Sequence, residues 1–90
     1  MAKFELLYTS KFKKSVKKLN KEDIKAVIEI LDKLCEDEPL DLKYCDHPLQ
    51  GALKGFRDCH IRPDLVLIYE KRYDMLILKA IDIGSHAKVF

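Results

Sequence analysis

The chain carries three histidines, His47, His60 and His86, all in its second half and each beside a turn or polar residue. Imidazole titrates near neutral pH, so two histidines can divide the work of removing one proton and donating another. Cleavage of a ribose phosphodiester through its own 2'-hydroxyl asks for that division. A base takes the 2'-OH proton, the alkoxide attacks the adjacent phosphorus, and an acid protonates the departing 5'-oxygen while cations stabilise the added phosphoryl charge. Because the substrate supplies the nucleophile, such a site needs no serine or cysteine nucleophile, no metal and no cofactor. Lys54, Arg57 and Arg62 stand in the same stretch and offer the cations.

Zinc is the rival chemistry, since Cys45 with His47 and Cys59 with His60 pair a thiol with an imidazole. Neither spacing is that of a chelating knuckle, and Cys59 and His60, adjacent on a strand, are expected to point to opposite faces. No metal site is therefore expected. A single histidine is more often a surface or satisfied core residue than a catalyst, so it is the three together that point to catalysis.

The elements that must position these residues follow from periodicity. Residues 4–9 have strand composition, and Ser10 stands where a helix N-cap belongs. Phe12, Val16 and Leu19 then form an apolar stripe on a short helix. A second helix follows Asn20, which with Asp23 resembles a capping arrangement, and buries Ile24, Val27, Ile28, Leu31, Leu34 and Cys35. Glu38-Pro39 is expected to end it. Residues 40–55, with Pro48, Gly51 and Gly55, read as a long ordered loop running into a strand near Leu53. Residues 56–61, 65–71 and 75–83 read as strands, the last two joined by a tight turn around Arg72-Tyr73-Asp74. The run 65–69 is apolar on both faces, which predicts a central strand covered by helices on one side and by the loop or tail on the other. The expected class is α+β in the order β-α-α-β-β-β, with two N-terminal helices on a small, mainly antiparallel sheet.

Ninety residues predict one domain, 1–90. A hydrophobic fraction of 48% with 36% charged residues excludes a disordered chain. The net charge of +2 hides an uneven distribution. Lys11, Lys13, Lys14, Lys17, Lys18, Lys21 and Lys25 crowd residues 10–25, a positive field suited to nucleic acid or an acidic protein, or simply a solvated face. Three cysteines without CxxC spacing imply neither a disulfide framework nor a zinc knuckle. No signal-type or membrane-spanning apolar run is present, so a cytoplasmic location without membrane partners is expected.

Asp46-His47-Pro48-Leu49-Gln50-Gly51, then Lys54-Gly55-Phe56-Arg57-Asp58-Cys59-His60, Pro63-Asp64, Gly84-Ser85-His86 and Phe90 together resemble the YafQ-like branch of the RelE/ParE toxin superfamily, over essentially the whole chain. The resemblance implies a RelE-like fold. It also implies the toxin of a type II toxin-antitoxin system, a ribosome-dependent endoribonuclease that cleaves messenger RNA in the decoding site of the 70S ribosome. A cognate antitoxin would hold it inactive, and DNA would be met only through the toxin–antitoxin complex. The family's catalytic set falls on His47, His60, Asp64, His86 and Phe90. By that analogy His86 and His60 are the proton-transfer candidates, His47 and Asp64 orient or assist them, and Phe90 stacks on a base. Lys11, Lys14 and Lys18 of the basic helix, with Lys54, Arg57 and Arg62, become expected RNA phosphate contacts. The chain departs from some relatives at Leu65, where they carry an aromatic residue, and at Arg62, where they carry an acid.

Two other functions share parts of this pattern. A ParE-type toxin directed at gyrase has the same fold and is expected to lack the catalytic histidines. A non-catalytic module would bind RNA or a partner through the lysine-rich helix alone.

Overall fold

The chain runs β1 (Glu5–Tyr8), α1 (Ser10–Val16), α2 (Lys21–Cys35), β2 (His47–Pro48), β3 (Arg57–Arg62), β4 (Leu65–Arg72), β5 (Ile77–Gly84) and α3 (His86–Val89). These elements come from a computed structural model that describes residues 3–90. The strands form one sheet in the order β1-β5-β4-β3-β2. Among the described strands only β1 and β5 run parallel, so the expected α+β architecture with a mainly antiparallel sheet holds.

Two short elements add to the expected order. Both β2 and α3 are too short to leave a periodic signature. The expected strand near Leu53 is instead a 3-10 turn, Gly51–Leu53, opened by Gly51 at φ +67°, a left-handed backbone that suits glycine and not a strand.

Local chemistry fixes the helix ends. Thr9, not Ser10, caps α1, because Thr9 keeps an extended backbone and its side chain accepts from the Phe12 amide. The Asn20 side chain accepts from the Asp23 amide at 2.8 Å, and Glu22 and Asp23 complement the positive end of α2. The helix stops at Cys35, before Pro39, where Asp37 turns left-handed at φ 62°. Its buried stripe runs through Val27, Ile30, Leu31, Leu34 and Cys35, whereas Ile28 is 52% exposed. Ile30 lies three residues after Val27 and four before Leu34, the spacing that keeps one face of a helix inward.

Helix α2 covers one face of the sheet, where Leu65, Leu67 and Tyr69 of β4 join Phe4, Phe12 and the α2 stripe in a single core. Val66 and Ile68 of the same strand lie outside that core and are still buried, on the face against which α3 packs. The central strand is thus covered on both sides, as its apolar run requires. An irregularity between β4 and β5 at Ile68 and Tyr69 leaves Ile81 as an extra residue on β5. The inward parity of Leu78 and Ala80 consequently passes to Ile83, and Asp82 turns to the opposite face.

Candidate active site

Alternation along β3 sets the site. Cys59 and Ile61 point into the core, so Asp58 and His60 point to the other face of the sheet. His47 of β2 is the register partner of Asp58 and shares its face. His60 pairs with Val66, Val66 pairs with Gly84, and the chain then turns through Ser85 into His86. The three histidines therefore approach one carboxylate. Burial raises the Asp58 pKa, while His47, His60 and His86 each pull it back down without cancelling the rise.

His47 Nδ1 sits between two acceptors, the Cys45 carbonyl oxygen at 2.7 Å and Asp58 Oδ1 at 3.0 Å. Cys45 adopts a left-handed backbone at φ 49°, a turn residue rather than strand, and its carbonyl meets the ring two residues on. A lone pair on Nδ1 would face two oxygens, so this nitrogen carries the hydrogen and Nε2 is left to accept a proton. The contact with Asp58 becomes an ion pair only when the imidazole is protonated, and Asp58 Oδ1 has no aligned hydrogen bond of its own.

The tail is held from below by Asp64, whose Oδ1 accepts the His86 amide at 3.2 Å. Asp64 thus caps the turn that carries His86. The rings of His86 and Phe90 lie 4.7 Å apart at 46°, both exposed.

Not all expected phosphate contacts converge here. Arg57 has the parity of Cys59 and lies on the helix-covered face, where its Nε donates to Asp46 Oδ1 at 3.3 Å beside the Tyr69 hydroxyl, which also donates to Asp46. Arg62 Nε donates to Asp23 Oδ1 at 2.6 Å. Lys54 follows the Gly51–Leu53 turn and is exposed. Lys11, Lys14 and Lys18 are all exposed, and Lys11 Nζ approaches Asp82 Oδ2 at 3.5 Å.

The family description "Bacterial toxin of type II toxin-antitoxin system, YafQ" matches residues 4–90. The chain belongs to the YafQ family. Among its relatives, the mRNA interferase toxin YafQ of Escherichia coli (strain K12) is 38% identical over 93 aligned residues, 100% of this chain and 99% of the relative. A metal-bound toxin from Helicobacter pylori superposes with a TM-score of 0.88 at 38% identity, over 97% of this chain and 99% of that one. A chain of the E. coli DinJ-YafQ complex superposes at 0.85 with 34% identity, over 97% and 98%. The fold is RelE-like, as the sequence implied.

Among the described residues of this YafQ-family chain, no three His, Cys, Asp or Glu side chains are grouped to hold a metal. Cys59 cannot join His60, since it faces the core, where burial pushes its thiol up to about 12. Sequence reasoning did not single out Asp58, which the structure brings beside His47. Its signal was present: two residues before His60 on one strand, it must share that histidine's face.

Proposed function

We propose that this YafQ-family toxin is an endoribonuclease that cleaves messenger RNA on the ribosome by acid–base catalysis through the 2'-hydroxyl. The observation that carries this reading is His47 Nδ1 held between the Cys45 carbonyl and Asp58. Such a histidine keeps Nε2 as a proton acceptor, and a buried carboxylate behind it favours the imidazolium that forms. His47 is therefore the base.

In-line displacement wants base and acid at opposite ends of the reacting bond. β2 and the tail after β5 lie at opposite ends of the β5-β4-β3-β2 row, with His60 of β3 between them. His86 is the acid that protonates the leaving 5'-oxygen, and His60 stabilises phosphoryl charge. Asp64 holds the His86 backbone, and Phe90, half-exposed beside that ring, stacks on a base. Acid–base groups of this kind each contribute about 100- to 10,000-fold.

The exposed lysines of α1 contact ribosomal or messenger phosphates. A cognate antitoxin, by analogy with DinJ on its E. coli relative, silences the toxin in the cytoplasm. The test is primer extension on a message in a purified translation reaction. Cuts that need both toxin and 70S ribosomes support the reading, and equal cutting of naked RNA or none at all overturns it.

A further inference from the structure

Helix α3 spans four residues, and isolated helices shorter than about 12–15 residues are marginal in water. The rest of the protein must hold it. Asp64 does so at its first residue. A second anchor lies farther along, where Lys88 Nζ donates to Ser15 Oγ at 2.5 Å, Asp82 Oδ1 at 3.1 Å and the Ile83 carbonyl at 3.3 Å.

The receiving end is built for a cation. Asp82 is 2% exposed, and its Oδ1 also accepts from the Ser15 hydroxyl at 2.7 Å and the Ile83 amide at 2.8 Å. Burial raises its pKa, but hydrogen bonds from Ser15, Ile83 and Lys88 outweigh that effect and the net shift is downward, so the carboxylate is charged. A buried carboxylate stays ionised only when paired and hydrogen-bonded. Gly84 gives the lysine stem its room, since a Cβ there would come within 2.7 Å of Lys88 Cδ.

His86 and Phe90, four residues apart, share one side of the turn, and Lys88, two residues from each, leaves from the opposite side. We infer that Lys88 is a positioning residue, which through Ser15 and Asp82 fixes the orientation of α3 and so of His86 and Phe90. Its catalytic meaning rests on the ribonuclease reading, but the anchoring itself does not.

The experiment compares the full-length protein with Lys88→Arg, Lys88→Met and the double variant Lys88→Met/Asp82→Asn, which removes both charges and keeps the buried carboxylate from being stranded. The first readout is the NMR shift and titration of the His86 ring, including its ring-current shift from Phe90. The second is kcat against KM for messenger cleavage. Anchoring by Lys88 predicts that the ring-current shift collapses in the folded double variant and that kcat falls about 10- to 100-fold with little change in KM. Lys88→Arg should retain most of both. An unchanged His86 signal in the folded double variant overturns the inference. An inactive parent protein would overturn the ribonuclease reading instead, and the NMR readout would still decide the anchoring.

Discussion

Asp58 Oδ1 lies 3.0 Å from His47 Nδ1, and the carboxylate behind that contact is 2% exposed. Burial of an acid at this depth costs stability, and the fold accepts the cost beside three histidines. Strain of this kind is usual where a site needs charge held in place. It divides the effects of Asp58 on folding and on catalysis, and the two can be measured separately.

Asp58→Asn should cleave about 10- to 100-fold more slowly while folding at least as stably near neutral pH. Burial raises the folded pKa above the unfolded value of about 3.9, so the ionised form is disfavoured in the fold. Stability from this group is present at low pH and is lost as pH rises through the folded pKa. Urea unfolding at pH 4 and pH 7 checks this. A variant markedly weaker than the parent at pH 7 would contradict it.

His47 as the proposed base predicts that His47→Gln lowers kcat about 100- to 10,000-fold with KM changed only slightly, since a base acts in the transition state rather than in binding. Single-turnover cleavage on ribosomes separates the two parameters. A rise in KM with kcat preserved would assign His47 to binding.

Lys14→Glu and Lys18→Glu should weaken ribosome binding and flatten its salt dependence, by about one unit of logarithmic slope for each phosphate no longer neutralised. Affinity measured across a salt series reads this directly. An unchanged slope would move the phosphate-binding surface off α1 and the turn that follows it.

Asp37 gives a stability prediction away from the site. Hydrogen bonds from Lys71 and then Lys3 hold its carboxyl down at about 2. A lowered folded pKa contributes stability that is full above the unfolded value of about 3.9 and lost as pH falls towards 2. Asp37→Asn, a residue that also tolerates φ 62°, should therefore lower the denaturation midpoint at pH 7, with the gap to the parent closing near pH 2.

Much of this was legible in the residues. The β4 run 65–69 announced a strand covered on both faces, and Asn20 announced the start of α2. What escaped depends on registry between distant segments. Ile28 and Ile30 are equally apolar and both fit a helical stripe, and the packing of α2 on the sheet selects Ile30. The extra residue at Ile81 turns Asp82 out of the core, which no count of alternation along β5 alone foretells. Arg62 was visible as a cation, but its partner Asp23 is 39 residues away and comes close only through the fold. The pairing of His47 with Asp58, 11 positions on and directly opposite in register, is likewise hidden in the sequence.

The most direct measurement of the central claim is single-turnover cleavage of a ribosome-bound message whose scissile nucleotide carries either a 2'-hydroxyl or a 2'-hydrogen. Attack by the 2'-hydroxyl predicts rapid cutting of the first, leaving a 2',3'-cyclic phosphate on the upstream fragment, and none of the second. Cutting of the 2'-deoxy message at a comparable rate would contradict it, since the nucleophile would then have to come from outside the RNA.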